Sequence, residues 1–265
     1  MRKTIIAGNW KMNNTREEAR KLTEELVKGV HSEKELPEVV LFPPFTSLET
    51  VINAAKGSPV LVGAQNMDYR DSGAFTGEVS PLMLLELGAK YVLIGHSERR
   101  QFFGETNQTV NLKLKAALKH GLIPVVCVGE TLDEREDNLT DAVVSRQVAA
   151  ALVDISLADL KPLVVAYEPV WAIGTGKVCE SKEADRVIAI IRKTLANLHP
   201  NGEALGQTTP VLYGGSMNAK NADELLTQPE IDGGLVGGAS LKADEFLTII
   251  KAGAKRKSLS MSKQA

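Results

Sequence analysis

Three side chains able to move or hold protons stand where apolar runs of this chain end. Glu168 closes "LVVAYE" (163–168), His96 follows "YVLIG" (91–95), and Lys11 comes two residues after Asn9 in "TIIAGNWK" (4–11). A carboxylate can serve as base, an imidazole as hydrogen-bond donor and an ammonium as fixed charge. Gathered over one substrate, they could move a proton on carbon. Each also has a plainer reading: Glu168 as a solvated strand-end carboxylate, Lys11 as a rim cation, and His96 as the cap of the helix that follows it. After Glu168 comes "PVWAIGTGK" (169–177), stiff at Pro169 and Trp171 and soft at Gly174 and Gly176. A segment built to move adjoins a lone acid.

These residues need a frame that brings chain ends together. Short β-branched runs recur as "TIIAGNW" (4–10), "EVVLFPP" (38–44), "VLVGAQ" (60–65), "YVLIGHS" (91–97), "IPVVCVGE" (123–130), "LVVAYEP" (163–169), "TPVLYGGS" (209–216) and "GGLVGGAS" (233–240). Their nearly continuous hydrophobicity suits strands buried on both faces. Between them lie amphipathic stretches such as "TREEARKLTEELVKGV" (15–30), "TNQTVNLKLKAALKHG" (106–121) and "SKEADRVIAIIRKTLANL" (181–198), several of which open with Thr or Ser and an acidic first turn, as suits a capped helix start and its dipole. Strand–helix alternation implies parallel pairing, in an open doubly wound sheet or a closed barrel. Eight strands in a chain of 265 residues favour the α/β (β/α)8 barrel, typically about 250 residues. No linker composition divides the chain, so one domain is expected over 1–254, with a flexible basic tail over 255–265. In such a barrel the period of two puts Ala7, Asn9 and Lys11 on one face and Trp10 on the other. Asn9, Lys11, His96 and Glu168 then emerge at the C-terminal mouth, where barrel enzymes do chemistry.

Composition removes several classes of partner. Lys plus Arg number 31 against 33 Asp plus Glu, a formal charge of −2. That leaves no global field for nucleic acid or an anionic membrane. The apolar run at the start is too short for a signal peptide, and no stretch reaches the roughly 20 residues of a membrane span, so a cytoplasmic setting is expected. Cys127 and Cys179 are the two cysteines and lie far apart in sequence, offering no disulfide or metal framework. "HSE" (96–98) matches half of the zinc-deaminase signature but lacks its P-C-x-x-C, and His31, His120 and His199 have no metal-ligand spacing. "GTGK" (174–177) lacks the third glycine of a dinucleotide fingerprint. An anion would have to be held by local amides, and "YGGS" (213–216) and "VGGAS" (236–240), after the seventh and eighth runs, could supply them.

Taken together, "AGNWKMN", "GHSERR", "AYEPVWAIGTGK", "LYGGSM" and "GLVGGASL" resemble the triosephosphate isomerase family in order and spacing, over about residues 3–253. The resemblance implies a cofactor-free isomerase of glycolysis and gluconeogenesis that interconverts dihydroxyacetone phosphate and D-glyceraldehyde 3-phosphate through an enediolate. It makes Glu168 the base, His96 the donor to the enediolate oxygen, Lys11 the fixed charge and Asn9 an orienting group. In this family the histidine is neutral, its pKa lowered by a helix N-terminus. Glu98 becomes a supporting or proton-shuttling group. Backbone N–H groups of Gly174, Ser216, Gly237 and Gly238 would hold the phosphate, and "PVWAIGTGK" becomes a lid that closes over it. The second hinge reads Lys177-Val178-Cys179 where the family more often has Lys-Thr-Ala, which leaves opening kinetics open and suggests a thiol-sensitive lid. The aperiodic connection 66–80 has a floppy-loop reading by composition. By resemblance it inserts beside Asn9 and Lys11 of a second copy, giving a homodimer in which Thr76 lies at the tip and Glu78 pairs with Arg99. A different phosphate-binding barrel enzyme, such as an aldolase or epimerase, would need a Schiff-base lysine or a metal cluster, and neither is visible. A silent protein with the same fold would have lost Lys11, His96 or Glu168, and all three are present.

Overall fold

Valine and isoleucine, restricted at χ1, suit a pleated surface that is covered on both sides, and the eight runs do form strands. A computed structural model describes residues 2–31, 35–174 and 177–262, with side chains as far as 257. The strands are β1 (Ile5–Asn9), β2 (Glu38–Phe42), β3 (Val60–Ala64), β4 (Tyr91–Ile94), β5 (Ile123–Val128), β6 (Val164–Tyr167), β7 (Val211–Tyr213) and β8 (Gly233–Val236). Each pairs in parallel with the next, and β8 returns to β1, so the sheet is a closed barrel. The register places Asn9 beside Phe42 and Ala7 beside Leu235. Closure requires close approach at one point. A Cβ on Gly233 would lie 1.8 Å from the Ile5 carbonyl oxygen, so β8 reaches β1 only because its first residue is glycine.

Alternation along the strands builds two apolar layers. Ala7, Val40, Leu93, Val125, Ala166 and Leu212 fill the barrel, where Phe42 and Tyr91 meet edge to face at 6.4 Å. Ile6, Val39, Leu41, Val92, Val126 and Val165 face the surrounding helices, in the same layer as Trp10. Burying each such side chain contributes roughly 1.5–3 kcal/mol.

Several helix starts follow local hydrogen-bonding rules. Glu18 accepts the Thr15 N–H at 2.8 Å before the helix Arg16–Val30. Thr106 and Thr109 exchange bonds before Asn107–His120. Ser181, in contrast, is the first residue of Ser181–Asn197, and its hydroxyl leaves its own helix to donate to Glu224 at 2.6 Å. The connection 66–80 lacks periodicity but is packed. Arg70 pairs with Asp68 at 2.8 Å and lies 3.2 Å over the Phe75 ring, while Asp71 is held by His120 at 2.7 Å.

The first residues of the stretch expected as a flexible tail over 255–265 make contacts with the barrel body. The last helix, Ala243–Ser262, continues through it, and residues 263–265 lie outside the described residues. Arg256 meets a buried acid. Asp232 already faces Arg192 and accepts from Arg2 at 2.8 Å, and Arg256 adds a bond at 3.0 Å while donating to the Leu226 and Gln228 carbonyls. A carboxylate removed from water stays ionised only when it is met in this way. Lys257 donates to the Leu36 carbonyl at 3.0 Å. A chain ending at Ala254 is therefore expected to lose about 1.5–3 kcal/mol of unfolding free energy. Urea midpoints at constant m-value measure this, and an unchanged midpoint would show that the terminal contacts contribute nothing.

Candidate active site

Lys11 reaches the mouth by a different route from the one strand alternation implies. β1 stops at Asn9, and Lys11 adopts φ 53°, a left-handed conformation that costs an L-residue roughly 1–2 kcal/mol. Two side chains hold the kink: Asn9 Oδ1 accepts the Lys11 N–H at 3.1 Å, and Gln65 Nε2 donates to the Lys11 carbonyl at 2.9 Å. With its oxygen engaged, Asn9 has its NH2 group left for a ligand. The Lys11 ammonium lies 2.6 Å from Glu98 Oε1, which fixes it at the rim.

His96 both caps a helix and lines the site, so the two readings of it are compatible. It precedes the helix Ser97–Phe102, and its Nδ1 accepts the Glu98 N–H at 3.2 Å. The amide before that one, Ser97 N–H, donates to Glu168 Oε2 at 2.8 Å. Two successive amides at one helix start thus orient the imidazole and the carboxylate. Because Nδ1 receives a hydrogen bond, a neutral ring carries its proton on Nε2, which lies 2.9 Å from Glu168 Oε1. Oε1 itself is buried without an aligned donor.

Both groups are displaced from their ordinary pKa values. Burial works to raise Glu168, but the adjacent His96, the Ser97 amide and Lys11 overcome it, and the net direction is down. Burial works to lower His96, the direction implied by resemblance, but the Glu168 carboxylate overcomes it, and the net direction is up. That departure belongs to this arrangement, with Glu168 turned back against Ser97 and His96. Moving the carboxylate away leaves burial, the largest influence on the imidazole, and Lys11 to lower it against the Glu98 carboxylate, which raises it. An acid limb follows for the free protein. Glu168 is ionised above its depressed pKa, so its own limb in kcat/KM should lie below the ordinary carboxylate range, separate from that of His96, which is raised, and from the substrate phosphate's own ionisation near about 6. Titration of the Glu168 carboxylate followed by NMR checks this, and a Glu168 pKa above 4.5 would contradict it.

Backbone packing fixes where Glu168 stands. Its N–H donates to the Val128 carbonyl at 2.7 Å. A Cβ on Gly129 would lie 1.7 Å from the Glu168 carbonyl oxygen, so glycine alone fits there. The side chain forms part of the wall between two cavities, of about 380 and 580 Å³. The smaller one brings together every site residue expected from sequence: Asn9, Lys11, His96, Glu168, Gly174, Ser216, Gly237 and Gly238. Gly176 lies outside the described residues. Glu98 stands behind Lys11, outside that lining. Leu235 and Ile173 supply apolar wall.

The segment after Glu168 is held from two sides. Trp171 Nε1 donates to Glu130 Oε1 at 2.7 Å, and the Ser216 hydroxyl donates to the Ala172 carbonyl at 2.7 Å. At its far end the expected thiol sensitivity meets an obstacle. Cys179 is buried, and burial pushes its thiol up to about 12, where little reactive thiolate exists. Sequence reading missed Ser97, Gly129 and Gln65. Ser97 was accessible from its place just after His96 at a helix start, whereas Gln65 acts across the barrel and leaves no local signal.

A closed parallel barrel with a carboxylate and an imidazole facing a glycine-rimmed cavity at its C-terminal mouth defines a (β/α)8 enzyme of the acid–base class. The family model described as triosephosphate isomerase matches residues 4–253. Triosephosphate isomerase of Clostridium tetani is 53% identical over 250 residues, covering 94% of this chain and 96% of the relative. That of Moorella thermoacetica is 54% identical over 253 residues (94% and 98%), and that of Thermoanaerobacter pseudethanolicus 51% over 250 residues (94% and 99%). The chain belongs to the triosephosphate isomerase family.

Proposed function

We propose that this chain interconverts dihydroxyacetone phosphate and D-glyceraldehyde 3-phosphate by proton transfer through an enediolate, without a cofactor. The observation that carries the reading is the sharing of one cavity by Glu168, His96 and Lys11 beneath the rim of Gly174, Ser216, Gly237 and Gly238. Glu168 turns from the Ser97 amide toward the substrate and takes a proton from carbon, then returns one to the neighbouring carbon. A carboxylate is a weak base for that task, so the oxygen that gains charge must be stabilised as it forms. His96 Nε2–H and the Lys11 ammonium meet that oxygen, and the Asn9 NH2 orients it. Amides at the glycine-rich rim take the phosphate, which explains how a protein of net charge −2 captures a dianion. Closure of residues 169–177 excludes water, raises the basicity of Glu168 and keeps the enediolate from losing phosphate. The test supplies glyceraldehyde 3-phosphate with a dehydrogenase that reports dihydroxyacetone phosphate, with and without chelator. Equal turnover in both arms is expected. No turnover, or turnover abolished by chelator, contradicts the reading.

A cytoplasmic homodimer completes the proposal. No helix among the described residues is long and apolar enough to cross a membrane. Met12 is 95% exposed, Phe102 and Phe103 are each 67% exposed, and Phe75 stands at the tip of 66–80. Apolar side chains exposed to this degree suit a second copy. Within one chain Arg99 is engaged by Glu105 at 2.9 Å, so pairing of Glu78 with a second copy's arginine would add to that bond. Deleting 70–78 should give monomers with little activity, and sedimentation of an intact dimer would contradict the role of the loop.

A further inference from the structure

Both ends of the segment that follows Glu168 touch the same short stretch of chain. At the leading end, the Ser216 hydroxyl donates to the Ala172 carbonyl at 2.7 Å. At the trailing end, just past Cys179, the Ser181 hydroxyl donates to Glu224 Oε1 at 2.6 Å. Ser216 and Glu224 are eight residues apart in sequence, and Asn221 braces the turn between them. Its Nδ2 donates to the Ser216 carbonyl at 2.9 Å, its Oδ1 accepts the Asn218 N–H at 2.8 Å, and it precedes the helix Ala222–Leu226 that carries Glu224. Val178–Ser181, Asn221 and Glu224 line one cavity of about 420 Å³, beside which the Ser181–Glu224 bond lies. Ser181 is the first residue of its own helix, just after the N-cap Glu180, so this bond ties the start of that helix to Glu224.

We propose that residues 216–224 form a strap joining the phosphate rim to both ends of the lid, with Asn221 and Glu224 as positioning residues for the isomerisation. Asn221 fixes the Ser216 peptide whose amide meets phosphate. Glu224 fixes the point from which the trailing hinge swings. Phosphate capture and lid anchoring then act as one mechanical unit, because displacing Ser216 also loads the helix that holds Ser181. The inference rests on the reading of Ser216 as a phosphate ligand.

The test compares two substrates and two sites. Asn221→Asp keeps the acceptor for Asn218 but sets an oxygen against the Ser216 carbonyl. KM for glyceraldehyde 3-phosphate should rise roughly tenfold while kcat changes less than about threefold. Unphosphorylated D-glyceraldehyde, followed by deuterium uptake at carbon in D2O, should react at the rate of the unaltered protein, since it offers no phosphate to grip. Equal losses on both substrates would mean general structural damage and overturn the strap. Ser181→Ala cuts the other tie and should raise KM about threefold. Combined with Asn221→Asp, it should cost less than the product of the two single effects. A fully multiplicative loss overturns the coupling. If the unaltered protein fails to prefer the phosphorylated substrate, the phosphate reading fails. If it shows that preference and Asn221→Asp leaves KM unchanged, the strap alone fails.

Discussion

Glu168→Asp is expected to lower kcat by about 10²–10³ with KM nearly unchanged. Shortening the side chain by one methylene withdraws the carboxylate by about 1.5 Å, and the backbone cannot advance to restore the reach. The Glu168 N–H is held by Val128, and its carbonyl packs where Gly129 leaves space for nothing larger than hydrogen. The phosphate rim and Lys11 are untouched, so ground-state binding should persist. Single-turnover measurement separates the chemical step from product release. A near-normal rate in that step would remove Glu168 from the role of base.

Lys11→Ala should reduce kcat/KM by about 10²–10³, divided between KM and kcat. Two effects add. The ammonium that would meet the developing enediolate is lost, and Glu98, which it met at 2.6 Å, remains behind the cavity as a carboxylate without that cation, repelling a dianion. The second effect can be isolated. Lys11→Ala combined with Glu98→Gln should recover part of the KM loss and little of the kcat loss, because only the repulsion is relieved. Steady-state constants for the three variants decide the matter. If Lys11→Ala leaves either constant unaltered, Lys11 is a rim cation of the ordinary kind.

Much of the fold was legible because one local rule repeats. β-branched runs bounded by turn residues gave eight strands, and the period of two told which side chains line the barrel, as Ala7 and Ile6 show on opposite layers. Glu168 and His96 were legible for the same reason, each at the end of an apolar run. Lys11 was legible as a candidate but not in its mechanism. Alternation assigned it to a strand that ends two residues earlier, and its position depends on Gln65, which is 54 residues away. Long-range hydrogen bonds of that kind leave no periodic trace. The same limit hid the ordering of Arg256, because basic residues near a terminus look solvated until a buried acid such as Asp232 is seen opposite them. It also hid the direction of the His96 pKa, which depends on where the Glu168 side chain rests and not on the helix start alone.

The most direct measurement is a crystal structure of the protein with 2-phosphoglycolate, whose carboxylate imitates the enediolate and whose phosphate imitates that of the substrate. Expected is one ligand in the 380 Å³ cavity, its phosphate on the amides of Gly174, Ser216, Gly237 and Gly238. Its carboxylate should lie within hydrogen-bonding distance of His96 Nε2 and the Lys11 ammonium, with the Glu168 carboxylate turned from Ser97 onto it. A ligand bound elsewhere, or one that contacts the rim while Lys11, His96 and Glu168 stay beyond its reach, would contradict the convergence of those three groups on one triose.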